Sequence, residues 1–463
     1  MLTYVLSRRG SLPAYDYLYR CIRRDILAGR LKTGEKLPSK RALAGELGVC
    51  VATVENAYAQ LAAEGYIRTK ERSGYFVLPV MEQRNAPAEQ PRQGEGEPCE
   101  RAWLLDFKAN HVEQGKFPFT VWARLMRQVL SEEDKELLRP CPPGGVYALR
   151  TALADYLYRA RGLSVLPEQI VVGAGTEYLY TLMVQLLGRE KIYGVEDPGY
   201  DKVARIYRAN GAQVRYLGVD GGGMVCAEAE ESGAEVLHLS PGHHFPTGVV
   251  MPVGRRQELL RWAEEDGGRA IIEDDYDSEF RLSGRPIPTL QGLDHTGRVL
   301  YVNTFSKTLS PAFRISYMVL PPALAERYRD KLGFYACTVS SLEQYTLARF
   351  ISGGYFERHI SRMKTFYRAK RDAVAAAIEE SPLGGRSQIL AADAGLHFLL
   401  ELDTDLEDEE LERRAADAGV RLSCLSSYVN GNHPVQTHRV VVNYSGLDPE
   451  KLPEGLDRLA ALM

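Results

Sequence analysis

Along the first 80 residues, the apolar positions change from helical spacing to short alternating runs. The first helical stretch carries its apolar face at Tyr15, Leu18, Tyr19, Ile22, Ile26 and Leu27. Ser39 is a candidate N-cap for a second helix that ends at Gly48, and a third helix is predicted from about Val51 to Glu64. Residues 66–69 and 74–78 then predict two short strands around a basic turn. The pattern indicates a small α+β unit of three helices and one β-hairpin.

The second and third predicted helices are separated only by Gly48, Val49 and Cys50. Two helices joined by a tight glycine turn are typical of a helix-turn-helix, whose second helix can enter the major groove of DNA. Charge agrees with this interpretation. Residues 1–80 contain 13 Lys and Arg against 7 Asp and Glu, whereas the remainder contains 44 against 54. A small basic head on an acidic body favours a polyanion partner for the head.

The remaining 383 residues predict a linker followed by a large α/β body. Pro, Gln, Glu and Gly dominate from residue 80 to 101, which indicates a flexible tether. Apolar strands then alternate with helical segments, at 169–172, 192–195, 214–217, 235–239, 270–273 and 299–302. Such alternation predicts a mostly parallel sheet covered by helices, with active residues at the carboxyl ends of the strands. A long helical tract at about 324–379 leads to a small C-terminal α/β domain with strands at 396–402 and 439–443. We therefore predict domains at 1–79 and 102–463.

Candidate chemistry follows the strand at 299–302. Thr304, Ser306 and Lys307 come directly after it, and Arg314 lies seven positions beyond the lysine. A lysine in this setting could hold an aldehyde cofactor as a Schiff base, while the hydroxyls and the arginine hold that cofactor's phosphate. On residue type alone, a solvated surface lysine is the favoured explanation of Lys307.

Two further strand ends supply groups that a pyridoxal 5'-phosphate (PLP) site requires. The strand at 270–273 ends in Asp274, Asp275 and Tyr276, and a carboxylate beside the pyridine nitrogen would keep the ring protonated as an electron sink. Spacing does not separate Asp274 from Asp275. The strand at 169–172 leads into a glycine turn with Gly175 and Thr176, where backbone N–H groups and a helix N-terminus could bind phosphate.

The body resembles the fold-type-I aminotransferases. The resemblance rests on the tracts 270–277 and 302–317 and on Pro246-Thr247-Gly248, in the order found in that family. It implies a PLP-dependent transferase fold with a large and a small domain, and it implies that Lys307 is the catalytic lysine that forms the internal aldimine. It further implies that Asp274 lies at the pyridine nitrogen, Tyr276 at the phenolic oxygen and Tyr200 on the ring. The remaining implied cofactor contacts are those of Gly175, Thr176, Thr304 and Arg314 with the phosphate.

The head resembles the winged helix of GntR-family transcription regulators. The matching tracts are 37–41, 47–49, 53–58, 64–67 and 73–77. The resemblance implies contact with double-stranded DNA through Ser39, Lys40, Arg41, Thr53, Asn56, Tyr58, Arg72 and Ser73. Many family members have an arginine where this chain has Val51-Ala52, and the carboxylate of Glu55 would repel phosphate. A winged helix that serves only protein interaction is the alternative.

Together, the two resemblances are those of the MocR type of regulator, a GntR winged helix ahead of an aminotransferase-like body. They imply a homodimer with exchanged heads that senses PLP, an amine or an amino acid through the aldimine at Lys307. The family's arginine for a substrate carboxylate is replaced at the aligned position by Val441, although Arg439 on the same strand could substitute. Arg139 stands where a tyrosine usually reaches the partner subunit's phosphate. An active aminotransferase with an accessory DNA-binding head, or a binding module without cofactor, are the alternatives.

Cysteine usage and hydropathy bear on the compartment. The seven cysteines are odd in number and contain no Cys-x-x-Cys pair, which favours a reducing cytoplasm over a disulfide framework and predicts no metal site. We find neither an apolar signal segment nor a run of transmembrane length, so no membrane partner is expected.

Overall fold

The chain folds as two compact units, Met1–Arg101 and Ala102–Met463. The computed structural model describes residues 4, 12–71, 73–80, 102–109, 113–282 and 287–463. The predicted linker at 80–101 lies, apart from Val80, outside the described residues. Each unit is described by itself.

The N-terminal unit is a winged helix-turn-helix, as predicted. It contains α1 (Ala14–Leu27), α2 (Lys40–Leu47), α3 (Val51–Ala63) and the antiparallel strands β1 (Ile67–Lys70) and β2 (Gly74–Val77). The Ser39 hydroxyl accepts a hydrogen bond from the Ala42 N–H at 3.1 Å and thereby caps α2. Gly48 ends α2 in the left-handed conformation, with φ of 63°, and so permits the tight turn into α3. One apolar core joins all three helices to the wing, through Leu18, Ile22, Leu43, Val54, Leu61, Ile67 and Val77.

The second unit is a large α/β body with a smaller C-terminal layer. Its longer helices are α4 (Phe119–Glu132), α6 (Tyr147–Arg161), α7 (Thr176–Leu187), α8 (Asp201–Ala209), α10 (Val253–Glu265), α12 (Pro322–Leu332), α13 (Ser341–Ser352), α14 (Tyr355–Glu380), α15 (Asp408–Asp417) and α16 (Leu452–Ala460). The short helices are α5 (Asp134–Leu137), α9 (Cys226–Glu231) and α11 (Leu290–Leu293). The strands are β3 (Leu105–Asp106), β4 (Ile170–Gly173), β5 (Ile192–Asp197), β6 (Gln213–Asp220), β7 (Gly223–Met224), β8 (Val236–Leu239), β9 (Ala270–Asp274), β10 (Val299–Thr304), β11 (Ser316–Val319), β12 (Ser387–Leu390), β13 (His397–Leu402), β14 (Val420–Arg421) and β15 (Arg439–Asn443).

The main sheet has eight strands in the order β4-β11-β10-β9-β8-β5-β6-β7. The central pairs β10–β9, β9–β8, β8–β5 and β5–β6 are parallel, so their carboxyl ends meet at one edge. This confirms the predicted fold class of a mostly parallel sheet covered by helices. The antiparallel strand β11, between β10 and β4, was not predicted. β11 begins nine residues after Lys307 and is buried on both faces. A strand of this kind shows no alternation of apolar and polar residues, so the sequence pattern did not reveal it.

The smaller layer is built on the antiparallel sheet β12-β13-β15, with α14, α15 and α16 packed around it. Its core is apolar and includes Phe398, Leu400, Val440, Val442 and Leu456. Among the described residues, no helix combines the length and apolar character needed to cross a bilayer.

Candidate cofactor site and DNA-facing surface

A cavity of about 270 Å³ opens at the carboxyl ends of the parallel strands. It brings together seven residues that were predicted from separate parts of the sequence: Thr176, Tyr200, Asp274, Tyr276, Thr304, Lys307 and Arg314. The other lining residues are Tyr180, Val195, Glu196, Val203, His238, Ser240, Phe245 and Ser306. This size is just below the roughly 300–1,000 Å³ typical of small-molecule sites.

Lys307 reaches the cavity from the turn that follows β10. Burial lowers the pKa of its amine to about 8, and the nearby Asp277 carboxylate opposes part of that shift. Because only the neutral amine is nucleophilic, the site increases the fraction of reactive Lys307 near neutral pH. An ordinary surface lysine does not show this environment.

The structure separates the two candidate carboxylates at the end of β9. Asp274 lines the cavity, whereas Asp275 points away from it and binds Arg161 and the Tyr301 hydroxyl, the latter at 2.7 Å. One carboxylate oxygen of Asp274 accepts a hydrogen bond from Tyr180 Oη at 2.6 Å. Its other oxygen, Oδ1, is buried without a hydrogen-bond partner among the described residues. Asp274 therefore offers a free acceptor at the cavity.

A second layer of side chains behind Asp274 was not found from the sequence. His238 Nε2 lies 3.5 Å from Asp274 Oδ2, and His238 Nδ1 is bonded to Tyr207 Oη at 2.6 Å. Tyr180 and Tyr207 come from α7 and α8, and both tyrosines are buried. These contacts fix the orientation of the carboxylate. The sequence signal was weak because a tyrosine or histidine among apolar residues usually indicates only core packing.

A buried group of three side chains, His243, Asp277 and His397, lies next to Tyr276. Tyr276 Oη lies 3.3 Å from His243 Nδ1, which is itself 2.9 Å from Asp277 Oδ2. The ring of His397 lies 4.5 Å from that of His243. Ligand atoms of His243, Asp277 and His397 all lie within 4.8 Å of one another, a spacing that could hold a metal ion, although the sequence predicted no metal site. The Nε2 atoms of both histidines lack partners among the described residues.

The glycine turn and Arg314 form the other end of the cavity. Gly175 has a φ of 91°, and a Cβ atom at this position would lie 2.6 Å from an Arg314 guanidinium nitrogen. A side chain at position 175 would therefore displace the Arg314 guanidinium from this place. Arg314 is half-exposed and pairs with Glu177 at 3.1 Å, and the Thr304 hydroxyl accepts a hydrogen bond from the Ser306 N–H at 3.1 Å. The N-terminus of α7 at Thr176, the arginine and the hydroxyls suit a phosphate group.

Arg439, the predicted substitute for the family's carboxylate-binding arginine, does not line the cavity. Arg439 lies opposite Glu401 on β13 and forms an ion pair with it at 2.9 Å. Asn443, at the other end of β15, pairs with His397 of β13. Arg439 is four residues before Asn443, so the two residues lie roughly 13 Å apart along the strand. Arg139 is exposed and pairs with Glu136 at 2.8 Å. Val441, at the position aligned with the family's arginine, is buried.

The predicted DNA contacts differ in how far they are exposed in the N-terminal unit. Arg41 and Asn56 are exposed, Thr53 and Ser73 are half-buried, and Ser39 is exposed while it caps α2. Lys40 is paired with Glu55, which reduces its availability for phosphate. Arg72 lies outside the described residues.

Tyr58 corrects one DNA-binding prediction. Its side chain is 0% exposed and its hydroxyl donates to the Pro38 carbonyl at 3.0 Å. Tyr58 also packs edge-on against Tyr75 of the wing. Tyr58 therefore belongs to the core of the winged helix and cannot contact DNA.

Comparisons with known proteins agree with this geometry. Residues 104–459 match the family of aminotransferases of class I and II, whose members generally use PLP, and residues 14–77 match the bacterial regulatory proteins of the gntR family. The structure superposes on the kynurenine aminotransferase of Pyrococcus horikoshii with a TM-score of 0.68 and 26% identity, covering 78% of this chain and 91% of that protein.

Similar proteins of full length are regulators. The chain is 38% identical to the uncharacterized HTH-type transcriptional regulator YdeL of Bacillus subtilis, over 99% of both chains. It is 35% identical to the probable rhizopine catabolism regulatory protein MocR of Rhizobium meliloti, over 98% of this chain and 94% of that one. It is 30% identical to the pyridoxine biosynthesis regulator PdxR of Corynebacterium glutamicum, over 89% and 87%. With a gntR-family winged helix joined to an aminotransferase-like body, the chain belongs to the MocR type of transcription regulators.

Proposed function

We propose that this regulator binds PLP in the body cavity, with Lys307 as its covalent anchor, and that an amine or amino-acid effector acts at the same site. One observation carries the proposal: a lysine with a lowered pKa and a carboxylate with an unpartnered buried oxygen line a single cavity. These are the two groups that a PLP site needs at opposite ends of the cofactor ring. The residues present therefore fit the cofactor.

When bound, PLP would supply an aldehyde for reversible attachment of amines and an electron-poor ring. The protein would contribute binding and orientation. Asp274 would hold a proton at the pyridine nitrogen, and the Tyr180 and His238 contacts would keep its carboxylate in place. Tyr276, oriented by His243 and Asp277, would donate to the phenolic oxygen. Arg314, Thr176 and the hydroxyls of Thr304 and Ser306 would hold the phosphate.

The effector would enter over Tyr200, whose side chain is 56% exposed at the cavity and faces Phe245 edge-on at 6.3 Å. Neither Arg439 nor Val441 provides a guanidinium at the cavity for an effector carboxylate. This observation favours regulation over efficient amino-acid transamination, because an aminotransferase needs a fixed cation to orient its substrate.

Regulation requires the ligand to favour one arrangement of the DNA-binding heads. A ligand shifts such an equilibrium only by its difference in affinity for the two arrangements. We propose a cytoplasmic homodimer joined through the body, with exchanged heads that read direct or inverted half-sites. Exposed apolar side chains in the body support a buried subunit interface, since Leu138 is 90% and Phe334 76% exposed in the single chain.

On DNA, α3 would lie in the major groove. The exposed Asn56 side chain can pair with an adenine edge, and the 41% exposed Val51 can contact a thymine methyl group. Arg41 would contact phosphate. This combination predicts an operator rich in A·T pairs at the positions that α3 reads.

The test combines operator selection with ligand titration. DNA fragments bound by the full-length chain are selected from a random pool, and their affinity is measured by fluorescence anisotropy with and without PLP and single amines. Asn56→Ala should lose operator affinity and keep PLP binding, whereas Lys307→Ala should bind DNA but no longer respond to PLP. Loss of both operator affinity and PLP binding in either variant would show that the two units do not carry these two functions separately.

A further inference from the structure

Two cysteines far apart in the sequence meet beside the cofactor cavity. Cys141 opens the Pro-Pro-Gly-Gly loop that precedes α6, and Cys337 lies in the segment between α12 and α13. Both thiols are half-buried and free. None of the proposed steps of cofactor or DNA binding uses either thiol.

Gln344 of α13 holds the two thiols together. Its side-chain nitrogen lies 3.1 Å from Cys141 Sγ and 3.5 Å from Cys337 Sγ, and it donates to the Val339 carbonyl at 2.8 Å. Its oxygen accepts from the Val146 N–H at 2.8 Å. Gln344 is 0% exposed, and both sulfur atoms lie within hydrogen-bonding reach of its one amide nitrogen. The two sulfur atoms are therefore neighbours and would have to approach to about 2.05 Å to bond.

Cys141 is the more reactive thiol of the pair. Hydrogen bonds from Cys337, Ser341 and Gln344 favour its thiolate and lower the pKa of Cys141, with a smaller contribution from the positive charge of Arg150. The same contact raises the pKa of Cys337. A thiolate that is partly accessible is the form that reacts with peroxides.

We propose that Cys141 and Cys337 are an oxidant-responsive dithiol that closes to an intramolecular disulfide bond. With hydrogen peroxide as oxidant, the Cys141 thiolate would attack one peroxide oxygen, break the O–O bond and become a sulfenic acid, while the departing hydroxide takes a proton from solvent and leaves as water. The Cys337 sulfur would then attack the sulfenic sulfur, form the S–S bond and release a second water. The two thiols lose two electrons together, the peroxide gains two, and a small thiol can reverse the change.

The disulfide would act on the phosphate end of the cavity. Cys337 Sγ lies 3.3 Å from the Val172 carbonyl oxygen, and the Val172 N–H donates to the Gly144 carbonyl at 3.1 Å. The next residue of the second segment, Thr338, accepts a hydrogen bond from the Ala174 N–H at 3.0 Å. The bond would therefore tie together the two segments that flank the glycine turn before α7.

The first arm of the test measures the chemistry. Full-length reduced protein is treated with hydrogen peroxide, quenched with an alkylating reagent and mapped by mass spectrometry without reduction. The expected main product is the linked peptide pair of Cys141 and Cys337, formed at least about tenfold faster than oxidation of Cys226. Cys226 is a matched control because it is also half-buried, and burial raises its pKa. Absence of the linked pair, or equal oxidation rates for Cys141 and Cys226, would overturn the proposal.

Two further measurements identify the role of Cys337 and the effect of the disulfide on the glycine turn. Cys337→Ser should stop the reaction at a Cys141 sulfenic acid that dimedone traps, whereas Cys226→Ser should still form the linked pair. Amide hydrogen exchange of residues 172–176 reports the turn directly and needs no cofactor. Exchange there should slow by roughly tenfold in the oxidised wild type and remain unchanged in peroxide-treated Cys337→Ser. Unchanged exchange in the oxidised wild type would refute the coupling to the phosphate end.

Discussion

Lys307 should destabilise the body as long as no cofactor is bound. Burial lowers the pKa of its amine to about 8, whereas an unfolded chain has the ordinary value near 10.5. At pH 7 the folded state therefore holds an ammonium group that it disfavours by up to about 3 kcal/mol. The open cavity screens part of this charge, so we expect Lys307→Met to stabilise the apoprotein by roughly 1–3 kcal/mol.

The pH dependence gives the sign of this effect. The penalty is fully present below about pH 8, where both states carry the proton. It falls as the pH rises from 8 towards 10.5, because the folded-state amine is then already neutral and keeping the proton in the unfolded state becomes less favourable. At pH 9.5 the gain from Lys307→Met should fall to less than half of its value at pH 7.

Urea unfolding followed by tryptophan fluorescence measures this stability in the body alone. All three tryptophans, Trp103, Trp122 and Trp262, lie in the second unit. Lys331→Met, which replaces an exposed lysine of α12, is the control and should change stability little at either pH. If Lys307→Met were less stable than the wild type at pH 7, or if its gain were equal at pH 7 and 9.5, the assignment of Lys307 as a buried amine of lowered pKa would be wrong.

Four other outcomes follow from the same contacts. The rate of PLP attachment should rise about tenfold per pH unit up to about pH 8 and then level off, as measured by stopped-flow absorbance, because the neutral Lys307 amine reacts; a rate that still rises at pH 10 would contradict this. Gly175→Ala should weaken PLP binding at least about tenfold, because the added Cβ would displace the Arg314 guanidinium. The backbone φ of 91° would also be strained by about 1–3 kcal/mol. Unchanged affinity in an equilibrium titration would show that Gly175 and Arg314 do not bind the phosphate together. Tyr180→Phe removes the hydrogen bond to the Asp274 carboxylate and should weaken PLP binding by about 1.5–3 kcal/mol, checked by the same titration, and equal binding would show that Tyr180 does not orient the acid. Asn56→Ala should cost about 1–3 kcal/mol in operator affinity and relax the preference for one base pair, while equal affinity for all sequences in wild type and variant would rule out base readout by Asn56.

The architecture could be predicted from sequence because its signals are local. Apolar runs of four to six residues mark the buried parallel strands, and the glycine turns mark the helix-turn-helix and the phosphate end of the cavity. Lys307 and Asp274 each follow a strand directly, so the parallel sheet brings them to one edge. The choice between Asp274 and Asp275 was not available from this pattern. Adjacent residues at a strand end point to opposite sides, and only the packed structure shows which side holds the cavity.

The residues that the sequence did not reveal depend on contacts between distant segments. His243, Asp277 and His397 come from three parts of the chain, and Gln344 brings Cys141 and Cys337 together. Tyr58 is different, because its position in the sequence already indicated that it belongs to the core. It continues the helical face of Val54, Ala57 and Leu61, all fully buried, and that periodicity indicates core packing.

The absorption spectrum of the purified full-length protein with PLP, compared with that of Lys307→Ala, tests the central claim most directly. We predict a protein-bound absorption band in the wild type that resists desalting and is lost on treatment with a competing amine, and no such band in Lys307→Ala. Identical spectra for the two proteins would show that Lys307 does not anchor the cofactor, and the regulator would then have to act without covalent PLP.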